Sequence, residues 1–153
     1  MCGGLRFCVG FFLAFERNLL FLRWLVVKLK PAKTMNEFKK CTMCGHLWQS
    51  RKDFLEDPST RMIGYQVNFD RLDLGFFLFN HLECGTTIGI PAGNFKDLYN
   101  GPVFSERLYG TDQCQEYCLH EDQLDPCPAE CECAYIREIL QIVKQWPKKC
   151  SNF

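Results

Sequence analysis

The chain has 153 residues, with 18 basic and 18 acidic side chains, and therefore carries no formal net charge at neutral pH. This length suits one domain, or a small domain with an appended arm, and the balanced charge gives no basic excess of the kind that indicates nucleic-acid binding. Eleven cysteines are more than an ordinary intracellular enzyme carries, which predicts a fold stabilised by metal ions or by disulfides.

The first 34 residues are apolar and basic. The apolar run from Cys8 to Val27 contains three charged side chains, which are costly in a membrane-spanning helix, and it leads into lysines rather than a small-residue cleavage site. We interpret residues 1–34 as a non-native extension preceding a start at Met35, or as an amphipathic helix that contacts a membrane surface. The metal-binding domain is expected over residues 35–150, in the cytoplasm.

Two short motifs share one design. The first motif, C-T-M-C-G at 41–45, and the second motif, H-L-E-C-G at 81–85, each place two metal-ligand types three positions apart, followed by a glycine. Donors at this spacing can curl onto one ion, and glycine lets the backbone turn without a Cβ clash. The predicted ligands of this first site are Cys41, Cys44, His81 and Cys84.

Alternatives remain open for these residues. Cys41 and Cys44 could be a free reducing pair, although no βαβ pattern of a thioredoxin-like dithiol surrounds them. His81 follows a run of phenylalanines and could be a core histidine, which would make His46 the reserve ligand. Eight cysteines lie between Cys41 and Cys133, which is also enough for two all-cysteine sites.

One short helix and three strands are predicted around the motifs. Ser50 with an acid three residues later resembles a capping box, so a helix should follow it and end at Pro58. Apolar residues alternate over 62–70, which predicts a half-buried strand, and the apolar run at 76–79 predicts a central strand. A third strand over 86–90 would place the second motif at the tip of a hairpin.

A second group of five cysteines, which we call the cysteine group, has the spacing C-x3-C-x8-C-x3-C-x-C. Short spacers favour ligands over disulfides, because very near neighbours rarely pair in unstrained bridges. Zinc, an iron–sulfur cluster and disulfides all fit four thiolates, although the spacing matches neither common cluster pattern. Five sulfurs exceed four positions, and Cys133 is predicted to be the spare one. The candidate ligands are Cys114, Cys118, Cys127, Cys131 and Cys133.

The clearest helix is predicted from Tyr135 to Trp146, ended by Pro147. Its apolar residues recur at helical spacing and form one stripe, which should pack on the sheet. Arg137 is expected on the opposite, polar face.

The two motifs resemble the knuckles of zinc-ribbon and rubredoxin-like modules, and Trp48 stands near the first as an aromatic does in rubredoxin-type knuckles. The second motif replaces one cysteine with His81, which favours zinc over a redox iron site because zinc accepts mixed ligation. The resemblance covers the motifs and the strand–knuckle–strand arrangement around them.

The sequence therefore predicts an α+β fold: a small antiparallel sheet with zinc-ribbon-like knuckles, a cysteine-rich loop and a C-terminal amphipathic helix. The expected cofactor is zinc at two sites, and the expected function is a metal-stabilised binding or regulatory module with a protein partner. The alternatives are an iron or iron–sulfur protein for electron transfer or redox sensing, and a small metalloenzyme. Nucleotide-binding and hydrolase motifs are absent from the sequence, which favours a non-enzymatic role.

Overall fold

The computed structural model describes residues 37–150, so the predicted extension and the proposed start at Met35 lie outside the described residues. The described part contains two antiparallel sheets and two α-helices, which confirms the α+β class. The small sheet pairs β1 (Lys39–Lys40) with β2 (Leu47–Trp48), and the larger sheet joins β3 (Thr60–Gln66), β4 (Phe76–His81) and β5 (Thr86–Pro91) in that order. The helices are α1 (Arg51–Glu56) and α2 (Ala134–Lys144).

Helix α1 begins where the capping signal predicted. The Ser50 side chain accepts a hydrogen bond from the backbone N–H of Asp53 at 3.1 Å, which satisfies one of the free donors of the first turn. Phe54 and Leu55 are buried, and the helix ends at Asp57, before Pro58. The helix therefore anchors the first hairpin to the core over only six residues.

Strand β3 differs from the prediction over 62–70. It runs from Thr60 to Gln66, and a register shift at Ile63 turns that side chain outward, leaving it 40% exposed. Asn68 then ends the extended run, because its side-chain oxygen accepts the backbone N–H groups two and three residues later. Apolar alternation in the sequence could reveal neither the bulge nor the competing turn.

Strand β4 is central, as the apolar run predicted, but only one of its faces is buried. Phe77 and Phe79 are almost fully buried, whereas Phe76 is 42% exposed. The strand pairs with β5 up to His81, opposite Thr86. The intervening turn places the second motif at the hairpin tip, where it was expected.

Helix α2 packs its apolar stripe into the same core, but the prediction that Arg137 faces solvent is wrong. Arg137 is fully buried, and its Nε and Nη2 donate to the backbone carbonyl of Asp125 at 3.1 and 2.7 Å. Its guanidinium lies 5.7 Å from the ring centroid of Tyr117. The helix thus binds the loop that carries the cysteine group. No helix within residues 37–150 is long and apolar enough to cross a membrane.

Replacing Arg137 with methionine should lower the free energy of unfolding by about 2 kcal/mol or more, because a charged donor to a backbone carbonyl is lost at a buried position. Denaturant titration of the purified protein measures the change. Arg71→Met is the matched control, since its exposed ion pair with Asp73 contributes less than about 1 kcal/mol. Equal losses in the two variants would contradict a structural role for the buried arginine.

Candidate metal centre

Four predicted ligands meet between the turns of the two hairpins. Cys41 and Cys44 lie on the turn between β1 and β2. His81 ends β4, and Cys84 lies in the turn that leads to β5. One ligand atom from each of the four residues lies within 4.8 Å of all the others, so the set can hold a metal ion.

The distances within this set fit a tetrahedral ion. Zinc bonds of about 2.3 Å to sulfur and about 2.0–2.1 Å to nitrogen place tetrahedral ligand atoms about 3.6–3.8 Å apart. The sulfurs of Cys41 and Cys84 are 3.6 Å apart. The Nδ1 atom of His81 lies 3.5 Å from the sulfur of Cys44 and 3.3 Å from that of Cys84. The donors are thus spaced about as they would be around one ion.

The two motifs fold in the same way. In each, the backbone N–H of the glycine donates to the carbonyl of the first ligand, at 3.1 Å from Gly45 to Cys41 and at 2.7 Å from Gly85 to His81. Both glycines adopt positive φ, +79° and +69°, a conformation that strains residues with a Cβ. Glycine in each motif therefore turns the chain so that both donors face the same point.

Local hydrogen bonds favour the thiolate forms of two cysteines. The backbone N–H of Cys44 is the main cause that lowers the pKa of Cys41 to about 6. The Thr86 hydroxyl lies 3.4 Å from the sulfur of Cys84 and is the main cause of its lowered pKa. The sequence pattern predicts only a strand position for Thr86, although a hydroxyl residue two positions after a ligand is a signal for this contact. Thiolates are the form that binds metal.

His81 is a buried residue and also a candidate ligand. Burial alone lowers its pKa, but hydrogen bonds to Cys41 and Cys84 outweigh it, and the net pKa is raised. Its Nδ1 faces the sulfurs, while Nε2 has no hydrogen-bond acceptor and lies 3.5 Å from a carboxylate oxygen of Glu83. A proton on Nε2 would leave Nδ1 free to coordinate, and the carboxylate is placed to orient the ring.

The reserve ligand His46 lies beside the site rather than among the sulfurs. It groups with His81 and Glu83, and its Nε2 is 3.7 Å from the carboxylate of Asp57. Its ring centroid is 5.5 Å from that of His81. His46 therefore packs on the imidazole side of the centre, while Cys44 takes the exposed position among the four donors.

The cysteine group is brought to a second place. Its five members all line one cavity of about 20 Å³, close to the minimum that holds a single water molecule. In the described part of the chain, however, no three of them bring their sulfurs within 4.8 Å of one another, as the first four ligands do. Cys131 and Cys133 are buried with Leu108 in a small cluster of their own.

Contacts within the cysteine group centre on Cys133. Its sulfur is 3.4 Å from that of Cys131, and its hydrogen bond with Cys118 is the main cause that lowers the pKa of Cys118 and raises its own. The sulfurs of Cys131 and Cys114 each accept a backbone N–H at 3.4 Å, from Leu108 and from Glu116. Each of these two sulfurs is therefore hydrogen-bonded to the backbone of the surrounding loop.

The chain matches no protein family, no curated protein and no solved structure. The resemblance to zinc-ribbon and rubredoxin-like knuckles therefore depends on the two motifs and on the geometry they adopt.

Gly45→Ala should lower stability by about 1–2 kcal/mol and weaken metal retention, because alanine strains the positive φ of the first motif. No atom lies within 4 Å of the added Cβ, so a steric clash cannot account for the loss. Gly45→Asn is the control, since asparagine tolerates this conformation better. Equal damage by alanine and asparagine, measured by thermal melting and by metal release to a chelator, would refute the backbone explanation.

Proposed function

We propose that this protein is a zinc-stabilised binding or regulatory module, with one ion held by the two motifs. The convergence of three sulfurs and one imidazole nitrogen at tetrahedral spacing carries the proposal. Four protein ligands close the coordination sphere and leave no position for substrate or activated water, which favours a structural role over catalysis. The ligands are Cys41, Cys44, His81 and Cys84.

The donor set supports zinc over iron. Three thiolates and one imidazole form a common structural zinc site, whereas rubredoxin-type iron uses the second motif's histidine position for a fourth cysteine. The Nε2 atom of His81 lies 3.5 Å from a carboxylate oxygen of Glu83, and a hydrogen bond between these two groups would complete the carboxylate–histidine arrangement seen around zinc. A protein that holds iron and shows visible colour would overturn this choice and favour electron transfer or redox sensing.

A second zinc ion at the cysteine group is part of the proposal. The shared cavity and the close pair of buried sulfurs, Cys131 and Cys133, support it. The contacts of Cys133 with two other members favour including it in the ligand set, which leaves Cys114 as the fifth thiol. The proposed ligands are Cys118, Cys127, Cys131 and Cys133.

Metal would supply stability that the loop cannot. Between residues 100 and 133 the only regular element is a three-residue helical turn, Tyr117–Leu119, and few apolar side chains there are buried. A structural zinc ion contributes on the order of 10 kcal/mol to folding, enough to order a segment of this kind. Binding of a protein partner is the role that remains for a domain whose metals are fully enclosed by ligands.

Cys44→Ser should remove about one zinc per chain and lower the melting temperature, because the first site loses a thiolate that zinc requires. Elemental analysis and thermal melting of anaerobically purified protein measure both effects. The exposed Cys150 lies outside both groups, so Cys150→Ser is the matched control and should keep the wild-type metal content. An unchanged zinc content per chain in Cys44→Ser would refute the proposed first site.

The second site is tested by two substitutions within one loop. Cys118→Ser should lower the zinc content by about one ion per chain and leave the first site loaded, since zinc sites use four ligands. Cys114→Ser should leave the zinc content unchanged, because Cys114 is the proposed fifth thiol. The reverse pattern would exchange the roles of these cysteines, and no loss in either variant would exclude a second ion.

A further inference from the structure

A groove of about 310 Å³ lies between the second motif and the C-terminal end of α2. Its apolar surface comes from Met62 on β3, Phe79 on β4 and Val143 on α2. Leu82, in the second motif, forms a wall and remains 53% exposed. The groove therefore combines apolar and polar surface in similar amounts and is open to solvent.

The groove is also basic. Arg61, Lys144 and Lys148 line it, and no acidic residue does. Across residues 37–150, none of these three cations forms an ion pair with a carboxylate. The neighbouring Lys149, by contrast, is paired with Asp53 at 3.5 Å and with Glu56 at 3.2 Å. Three positively charged side chains without an ion-pair partner thus meet at the groove, and the carboxylate of Asp57 acts on one of them, Lys148, from a greater distance.

One of the cations is held in place by a buried hydroxyl. Lys148 donates from Nζ to the Oγ1 atom of Thr60 at 3.0 Å, and Thr60 is 1% exposed. The Thr60 hydroxyl proton has its own acceptors, the carbonyls of Phe54 and Asp57 at 2.9 and 3.0 Å. An ammonium group has three donors, so two protons of Lys148 remain for a ligand.

We propose that this basic groove binds an acidic segment of a partner protein, with one apolar side chain entering the groove and flanking carboxylates pairing with Arg61, Lys144 and Lys148. The volume is near the lower end of the roughly 300–1,000 Å³ of ligand pockets, enough for one large side chain and adjoining backbone. Because the walls face solvent, an extended chain can cross the opening. Charge complementarity at the rim would set specificity and speed association.

This proposal deepens the binding role proposed above. It rests on that role because Leu82, one wall of the groove, belongs to the second motif, which holds two of the proposed metal ligands. The backbone N–H of Leu82 donates to the carbonyl of Ser59 at 2.8 Å, which links the motif to the start of β3. The groove is therefore complete only when the motif is folded, and metal content must be measured in every sample.

The test uses the zinc-loaded full chain and a capped synthetic peptide with one leucine between pairs of glutamates, followed by amide chemical shifts in NMR. The peptide should shift the amides of Met62, Leu82 and Val143 and bind less tightly as salt is raised. Matched peptides with lysine in place of glutamate, or with glycine in place of leucine, should bind more weakly.

Lys148→Met should weaken the peptide affinity about two- to fivefold, the range expected for one exposed charge pair. Lys149→Met is the control and should leave the affinity unchanged, because that lysine already has carboxylate partners. Equal effects of the two substitutions, or equal binding of the lysine peptide, would overturn the proposal.

Three further outcomes separate this proposal from the others. If inorganic phosphate shifts the same amides and the leucine-free peptide binds as tightly as the leucine peptide, the groove is a small-anion site. Binding of a partner segment through an apolar side chain is then excluded. If zinc-loaded protein shows no amide shifts when the peptide is added, the proposed peptide binding by the groove is refuted and the metal proposal is unaffected. Protein that holds no zinc but still responds to the peptide would refute the metal proposal alone.

Discussion

The convergence of three sulfurs and one imidazole nitrogen is the constraint on which the N-terminal half of the described structure depends. Strands β1 and β2 have two residues each, far too short to be stable as an isolated hairpin. They are held because the first motif meets the second, and because Trp48 is buried and donates to Asp57 at 2.7 Å. The larger sheet places His81 and Cys84 at the tip of its hairpin, and the turn of the small sheet supplies the other two donors of the candidate site.

Much of this arrangement could be predicted because its signals are local. Two donors followed by glycine specify a turn without reference to the rest of the chain, and Ser50 specifies the start of α1 in the same way. The apolar run at 76–79 and the strand after the second motif together predict a hairpin. The position of the second motif at the tip of this hairpin could therefore be predicted as well. Zinc and the protein partner stay predictions, since they depend on chemistry that the fold alone does not determine.

Features that depend on distant contacts could not be predicted in this way. Arg137 occupies a polar position in the helical pattern, yet the Asp125 carbonyl, twelve residues earlier in the chain, gives its buried guanidinium a hydrogen-bond acceptor. The bulge at Ile63 arises from pairing with β4, and the Asn68 turn competes with an alternating pattern that continues past it. In the cysteine group, spacing gives the number of sulfurs but not which of them meet, because irregular loops position them.

The separation of the paired donors along the chain has a thermodynamic consequence. Cys41 and Cys84 are 43 residues apart, so an ion that joins them closes a long loop and removes conformational entropy from the unfolded chain. By the relation used for disulfides, closing a loop of that size is worth about 4 kcal/mol. Unlike a disulfide, this cross-link is reversible without a redox reaction. Loss of the ion would remove this constraint while the β3–β5 hydrogen bonds and the buried contacts of Trp48 remain, so the small sheet would be the part of the fold most sensitive to metal supply.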